Sequence, residues 1–533
     1  VWLAAAPAIM GGMLEVQGYD GAVVTPHVLS TQAGMEMLDR GGTAVDAAIA
    51  ANAVQGMVAP ETCGIGGDLF ALVHTEGTVT ALNASGWAGS KASAQALRDE
   101  NLTSIPQHHP ASVTIPGCVA GWFALHGRYG RLPIETVLAR AIELGRNGFA
   151  ASTEYSHATH RMAEFLADHE AGAQLLIDGR PAQRGERIHR PNLARTLDRI
   201  AHEGRNAFYE GSVADTISAA VGGLITPDDV TAYSPDWVDP ISADFFGVTG
   251  WTIPPNSQGY LTLATLAIFE SLTPTLDPGD PRWTHFLIEA YRAAAAERDD
   301  IVADPAYAPI PNDLLLDPDR LAELSAGISP DHAAERKRPE AKPGGTMYLC
   351  TVDGDGMGVS LIESNFHGIG TGIGAGDSGF ILHNRGGGFD LRPGHPNEIA
   401  PRKRPLHTLS PTLWTEGARL RTVLGTRGGY QQPQILAQVA ALLYGAGRSA
   451  GHAQAETRWA LTNLEAPTGS LVDVESDMSS HITHGLTARG HTVRPQSARV
   501  PGWGPVAIID VDAHGLRTAA ADLRVDTASA AVR

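Results

Sequence analysis

Gly344-Gly345-Thr346-Met347-Tyr348-Leu349-Cys350-Thr351-Val352 separates two unlike stretches of this sequence. Before it, residues 303–345 are rich in Pro, Gly and charge and hold few large apolar side chains, the composition of a linker rather than a core segment. After it, Met347–Val352 and Gly358–Ile362 are apolar and β-branched, and Asp353-Gly354-Asp355-Gly356 supplies a tight turn between them. The junction predicts a buried hairpin that begins abruptly at Thr346, just after a flexible run.

Working outward, 379–384, 420–425 and Val506–Val511 read as further strands, and 432–447 as a helix carrying Ile435, Leu436, Val439, Leu442 and Leu443. On the other side, helical spacing predicts Ser30–Arg40 and Ala44–Met57, separated by Gly41-Gly42. A turn-rich loop, Pro60–Gly67, leads into the buried strand Leu69–Val73 and its hairpin partner Val79–Asn83. Residues 134–146 read as a helix ended by Gly148, 240–254 as strands, and 260–299 as helical. No repeat of 20–50 residues is evident.

The 533 residues, 43% of them hydrophobic, suffice for a large core. Net charge is 39 − 58 = −19, which repels phosphate backbones and argues against a nucleic-acid partner. No stretch approaches the roughly 20 apolar residues of a membrane span. Cys63, Cys118 and Cys350 form no CxxC pair and read as reduced, buried thiols. The N-terminal VWLAAAPAIMGGMLEV lacks a basic n-region and reads as an irregular extension. These features fit a cytoplasmic protein and leave a periplasmic or secreted one open.

Several motifs dissolve on inspection. Gly376-Asp377-Ser378-Gly379 lacks the upstream histidine segment that a serine triad needs. Gly370-Thr371-Gly372-Ile373-Gly374-Ala375 is not placed in a βαβ unit. His157 and His160 have no third metal ligand. Gly425-Thr426-Arg427-Gly428-Gly429 is different. It lies between a strand and a helix, where backbone N–H groups can face an anion.

Taken together, the chain resembles the γ-glutamyltranspeptidase family along nearly its whole length. The matching stretches are Gly41–Ala48, Gly64-Ile65-Gly66-Gly67, Pro116-Gly117, Gly121-Trp122, Tyr129-Gly130, Ala141-Ile142 and Gly148-Phe149. Beyond the junction they continue as Thr346–Asp353, Gly370-Thr371-Gly372, Asn384, Pro405-Leu406, Ser410-Pro411-Thr412 and Gly425–Gly429. The resemblance implies an α+β fold, a four-layer αββα sandwich of the N-terminal-nucleophile hydrolase type. It implies a precursor that cuts itself between Gly345 and Thr346 into a large subunit, 1–345, and a small subunit, 346–533. Thr346 is then the nucleophile, its new α-amine the base. Ser364 orients it, the amides of Gly428 and Gly429 form the oxyanion hole, and Asn365 contacts substrate. Neither metal nor cofactor is implied. The expected partners are a small-molecule amide or γ-glutamyl substrate and the two subunits of one precursor, and a homo-oligomer is compatible with this.

The departures from the family bear on substrate. The arginine expected near Asn83-Ala84-Ser85-Gly86-Trp87-Ala88 is absent, the expected aspartate falls in Gly386-Gly387-Gly388, and the Ser-Ser pair is replaced by His407-Thr408. Arg385 offers a different anion anchor, so Asn365, Arg385, His407 and Thr408 are the expected substrate-binding set. This pattern resembles the divergent acylase and amidohydrolase branch of the family. The expectation is a self-cleaving amidohydrolase or acyltransferase. The alternatives are a true γ-glutamyltransferase or glutathione hydrolase, and an uncleaved homologue that only binds.

Overall fold

The computed structural model describes residues 15–273, 276–336, 345–462 and 470–533. Two antiparallel seven-stranded sheets organise it. Their strands, in chain order, are β1 (Glu15–Gly18), β2 (Ala22–Thr25), β3 (Asp68–Thr75), β4 (Thr78–Ala84), β5 (Asp236–Val238), β6 (Ile241–Phe245) and β7 (Val248–Thr252). They continue as β8 (Gly345–Val352), β9 (Gly358–Phe366), β10 (Thr412–Glu416), β11 (Arg419–Thr426), β12 (Val506–Val511), β13 (Arg517–Ala521) and β14 (Ser529–Val532). One sheet runs β14-β2-β8-β9-β3-β4-β5, and the other β1-β13-β12-β11-β10-β7-β6. Each therefore mixes strands from both sides of the Gly345–Thr346 bond.

Alternation along β8 shows how the layers form. Met347 and Leu349 point to one face and Tyr348 and Cys350 to the other, and all four are buried. The first face packs with β3 and β9 against the helices Ala44–Val58 (α1), Cys118–Tyr129 (α2), Ile134–Asn147 (α3) and Pro191–Glu203 (α4). The second face joins Phe70, Leu72 and Ile362 to Leu413, Val423 and Ile509 of the other sheet. The far side of that other sheet, with Phe245, Trp414, Leu424 and Ile508, is covered by Tyr260–Leu272 (α5), Pro281–Ala295 (α6) and Gln432–Ala440 (α7). The helix α1 begins where Thr43 and Asp46 form a reciprocal capping box, which satisfies amides at the helix start.

Some expectations need correction. Residues 260–299 are helical but interrupted, because α5 ends at Leu272 and α6 restarts at Pro281, a proline preorganised for a first turn. Residues 379–384 are not a strand. Phe380, Ile381 and Leu382 bury their side chains in core clusters while their backbone makes only isolated bridges. The linker-like stretch contains the helices Asn312–Leu315 and Pro318–Ala326, and its last part, 337–344, lies outside the described residues. The N-terminal extension, 1–14, also lies outside them. No helix among the described residues is long and apolar enough to cross a membrane.

The two sheets meet closely at Gly425. A Cβ built there would lie 2.1 Å from the Tyr348 ring. Gly425→Ala should therefore overpack the inter-sheet core and cost about 1–3 kcal/mol, seen as a lower urea midpoint. An unchanged midpoint would show that the sheets have slack there.

Candidate active site

The site begins at an irregularity of the β8–β9 pair. Gly345 pairs with Phe366, then the register slips before Met347 pairs with Glu363, so Ser364 and Asn365 form a bulge in β9 opposite the single residue Thr346. Opposite it, Ser364 connects both sides of the junction. The Thr346 hydroxyl donates to Ser364 Oγ at 3.2 Å, and the Ser364 hydroxyl donates to the Gly345 carbonyl at 2.5 Å. The Phe366 N–H and Arg385 Nη2 also donate to Ser364 Oγ, at 2.8 and 3.3 Å. Phe366 holds a φ of +74°, a left-handed conformation rare for a bulky residue, and the Arg385 guanidinium lies 4.0 Å over its ring.

Arg385 is fully buried. Its Nη1 donates to Thr408 Oγ1 at 3.1 Å, and its Nε lies 3.9 Å from Asp68. Asp68 opens β3 directly across from Ser364 in the register, and it too is fully buried. It accepts from the Gly86 N–H at 2.8 Å and from His407 Nε2 at 3.0 Å. Because His407 Nδ1 accepts from the Leu409 N–H, its single proton resides on Nε2 and the ring is neutral. Burial, aided by Arg385, pushes that imidazole down to about 3. His383 Nδ1 stands 3.7 Å from the same carboxylate, while its Nε2 bonds the Thr114 carbonyl, and burial lowers it as well. Burial alone would raise the Asp68 carboxyl, but His383, His407 and Arg385 outweigh it and hold it below the usual carboxylate range. Asp68 is thus the anion of the quartet, Arg385 its cation, and His407 a neutral ring.

The glycine loop sits at the end of β11. Gly428 has φ +135° and Gly429 φ +56°, values open to glycine, and no described residue accepts a hydrogen bond from either amide. Two converging anchors fix the loop. Arg427 holds Glu154 through both oxygens, at 2.6 and 3.2 Å. Gln258 Nε2 donates to the carbonyls of Gly429 and Thr408, both at 3.2 Å, and so ties the loop to the Arg385 side of the site. Arg298 steadies Gln258 through its Oε1 at 3.3 Å.

The sequence-based candidates thus fall into two groups. Gly345, Thr346, Ser364, Arg385 and Thr408 form one hydrogen-bonded chain. Gly428 and Gly429 are tied to it through Gln258. His407 is engaged with Asp68 and edge-on to Phe70, 4.6 Å between ring centres, so in this chain it buttresses the site from behind. Asn365 donates to the Pro60 carbonyl at 3.3 Å, and its Oδ1 has no partner among the described residues. The stretch where an aspartate is expected, Gly386–Phe389, holds no acid, and a Cβ at Gly386 itself would lie 2.7 Å from the Ala111 carbonyl. Near the missing arginine, Arg404 lies 5.3 Å over the Trp87 ring and donates to the Ser85 carbonyl at 3.0 Å. The pattern reading missed Asp68, His383, Gln258 and Arg298. Asp68 did carry a signal: it is an acid leading directly into the apolar run Leu69–Val73, where a buried carboxylate needs partners.

Against this geometry the comparisons with known proteins are informative. The sequence profile described as γ-glutamyltranspeptidase matches residues 30–532. A glutathione hydrolase-like proenzyme of Bacillus subtilis is 34% identical over 97% of this chain and 99% of its own. An oxamate amidohydrolase proenzyme of Klebsiella pneumoniae is 32% identical over 96% and 98%. The crystal structure of a cephalosporin acylase from Bacillus halodurans superposes with a TM-score of 0.89, at 31% identity, over 100% of this chain and 99% of that one. The fold and site are those of a hydrolase and acyltransferase class, mixed α/β, whose members act on small molecules. The chain belongs to the γ-glutamyltranspeptidase family, on the side of its amidohydrolase and acylase members.

Two outcomes follow from the quartet. Asp68→Ala would leave Arg385 buried without its counter-charge, so it should cost about 3–5 kcal/mol, whereas breaking the exposed Arg40–Glu36 pair should cost under about 1 kcal/mol. Urea midpoints separate these, and equal effects would contradict the quartet. The second outcome concerns pH. His407 has a folded-state value of about 3, below the ordinary 6.5, so the unfolded chain binds the extra proton between them. The stability His407 contributes should be present above pH 6.5 and be lost as pH falls toward 3. The stability difference between wild type and His407→Asn should shrink over that window, and a difference independent of pH would mean that the ring binds its proton equally well folded and unfolded.

Proposed function

We propose that this chain matures by cutting the Gly345–Thr346 bond and then works as an amide hydrolase through Thr346, with an acyl-enzyme intermediate. The observation that carries this reading is the position of Ser364 Oγ, 3.2 Å from the Thr346 hydroxyl and 2.5 Å from the Gly345 carbonyl. One side chain thereby holds the attacking group and the acyl group of the bond to be broken. In the precursor, Gly345 stands where a substrate acyl group would stand later. The free α-amine of Thr346, with an ordinary pKa near 8, supplies the base that the uncut chain lacks. The free amides of Gly428 and Gly429 receive the oxyanion. Asn365, with an unpartnered Oδ1 beside Ser364, contacts the acyl group.

The large and small subunits, 1–345 and 346–533, are products of the cut rather than separate folding units, because both sheets take strands from each of them. The three buried layers of side chains support a four-layer αββα arrangement of the N-terminal-nucleophile type.

For substrate, the reading favours an acyl amide that is not γ-glutamyl. Neither anchor expected for a free glutamate carboxylate and amine is present. Each such charge-assisted contact contributes roughly 1.5–3 kcal/mol, so γ-glutamyl binding should be weak. The cation linked to Ser364 is Arg385, which favours an acyl group bearing negative charge. The B. subtilis relative, named glutathione hydrolase-like, supports a second reading in which γ-glutamyl amides are still accepted.

Denaturing electrophoresis of wild type should show two chains of 345 and 533 − 345 = 188 residues. Thr346→Ala should remain one chain and lack activity. In a panel of acyl amides, kcat/KM for the best non-glutamyl substrate should exceed that for a γ-glutamyl anilide by at least about tenfold, or 1.4 kcal/mol. The reverse ranking would favour the second reading. Activity should rise with pH toward about 8 as the Thr346 amine loses its proton.

A further inference from the structure

We infer that Arg385, seated by Asp68, is a positioning residue for the self-cleavage step: it holds Ser364 as the donor to the Gly345 carbonyl and favours the negative charge that builds on that oxygen. This rests on the self-cleavage reading above and adds a residue that acts before any substrate is met.

The step itself balances simply. Thr346 Oγ attacks the Gly345 carbonyl carbon, a C–O bond forms, and the C–N bond to Thr346 breaks. The hydroxyl proton ends on the Thr346 nitrogen, giving an ester that water then hydrolyses to the Gly345 carboxylate and the free amine. During attack the Gly345 oxygen becomes anionic, and Gly345 O is the atom that Ser364 already contacts at 2.5 Å.

Ser364 can serve there only if its proton points at Gly345. Three donors, the Thr346 hydroxyl, the Phe366 N–H and Arg385 Nη2, share the two lone pairs of its oxygen, and since the two N–H groups cannot accept, its own proton is left for the carbonyl. A cationic donor on the accepting side strengthens the hydrogen bond on the donating side, because the chain polarises in one direction. The guanidinium cannot turn away. Nη1 is held by Thr408, its face lies on Phe366, and Asp68 stands behind Nε. His407 donates to Asp68 as a neutral ring, so it steadies the carboxylate without adding positive charge. The field at Gly345 is then that of Arg385, with Asp68 on its far side.

The test follows precursor cutting in cell-free synthesis, with the full chain sampled over time on denaturing gels. Arg385→Lys keeps the charge but loses the fork, and should cut more slowly than wild type. Arg385→Ala should slow cutting by about 100-fold, the scale of losing one oxyanion donor. Because Arg385→Ala leaves Asp68 unpaired, the double variant Asp68→Asn with Arg385→Gln provides a charge-free cradle, and it should be equally slow. Methylguanidinium added at tens of millimolar should speed cutting of Arg385→Ala and leave Thr346→Ala uncut, a response that a purely structural role would not give. Thermal melts in the Thr346→Ala background check that each variant folds. A folded Arg385 variant that cuts at the wild-type rate would overturn the inference, as would a slow Arg385→Ala that methylguanidinium does not accelerate. A wild-type chain that never cuts would instead overturn the self-cleavage reading beneath it.

Discussion

The site depends on one hydrogen bond, from the Ser364 hydroxyl to the Gly345 carbonyl. It joins the residue on one side of the junction to the strand that pairs with it, at the point where β8 slips out of register. For that bond to persist, the serine oxygen must be occupied by other donors and the guanidinium behind it must be kept in place. Asp68 does this from the neighbouring strand, one register position across. Burying Arg385 and Asp68 together is costly. They are not in direct hydrogen-bond contact, so the cost is offset by His407, Thr408, Ser364, Phe366 and the Gly86 amide. A network of this kind is a poor source of net stability and a good source of fixed geometry.

The interleaving of strands gives the proposed cut its structural logic. β8 and β9 lie between β2 and β3, and β10 to β13 lie between β1 and β7. Cutting before Thr346 would divide the chain without dividing either sheet, since backbone hydrogen bonds and three shared cores hold the parts together. A cut at this position would free a terminus in the middle of the fold.

Much of this was legible in the sequence wherever the signal is local. The α1 helix, the strand from Leu69 to Val73 and the β8–β9 hairpin follow from periodicity and turn chemistry. The proposal of Thr346 as nucleophile and of the glycine loop as its oxyanion site rests on motif resemblance. The rest depends on contacts far apart in the chain. Nothing near His407 says that its ring meets Asp68, a residue 339 positions away, so its position alone suggested a substrate contact. Gln258 joins two loops from separate segments, and no local pattern marks it. Residues 380–382 looked like a strand because apolar residues bury themselves equally well in irregular backbone. The break between α5 and α6 was marked by prolines, but the surrounding helical spacing outweighed them.

What distinguishes this chain within its family is therefore its substrate surroundings rather than its reactive centre. No arginine stands in Asn83–Ala88 and no acid in Gly386–Phe389, while the hydrogen-bonded chain from Arg385 to Thr346 is complete. The most direct measurement of the central claim is the site of the acyl-enzyme. Purified protein mixed with an activated acyl ester, quenched in acid and digested, should carry the acyl mass on the peptide that begins at Thr346. Turnover of the ester with no adduct on that peptide, or with the adduct on another residue, would contradict the account.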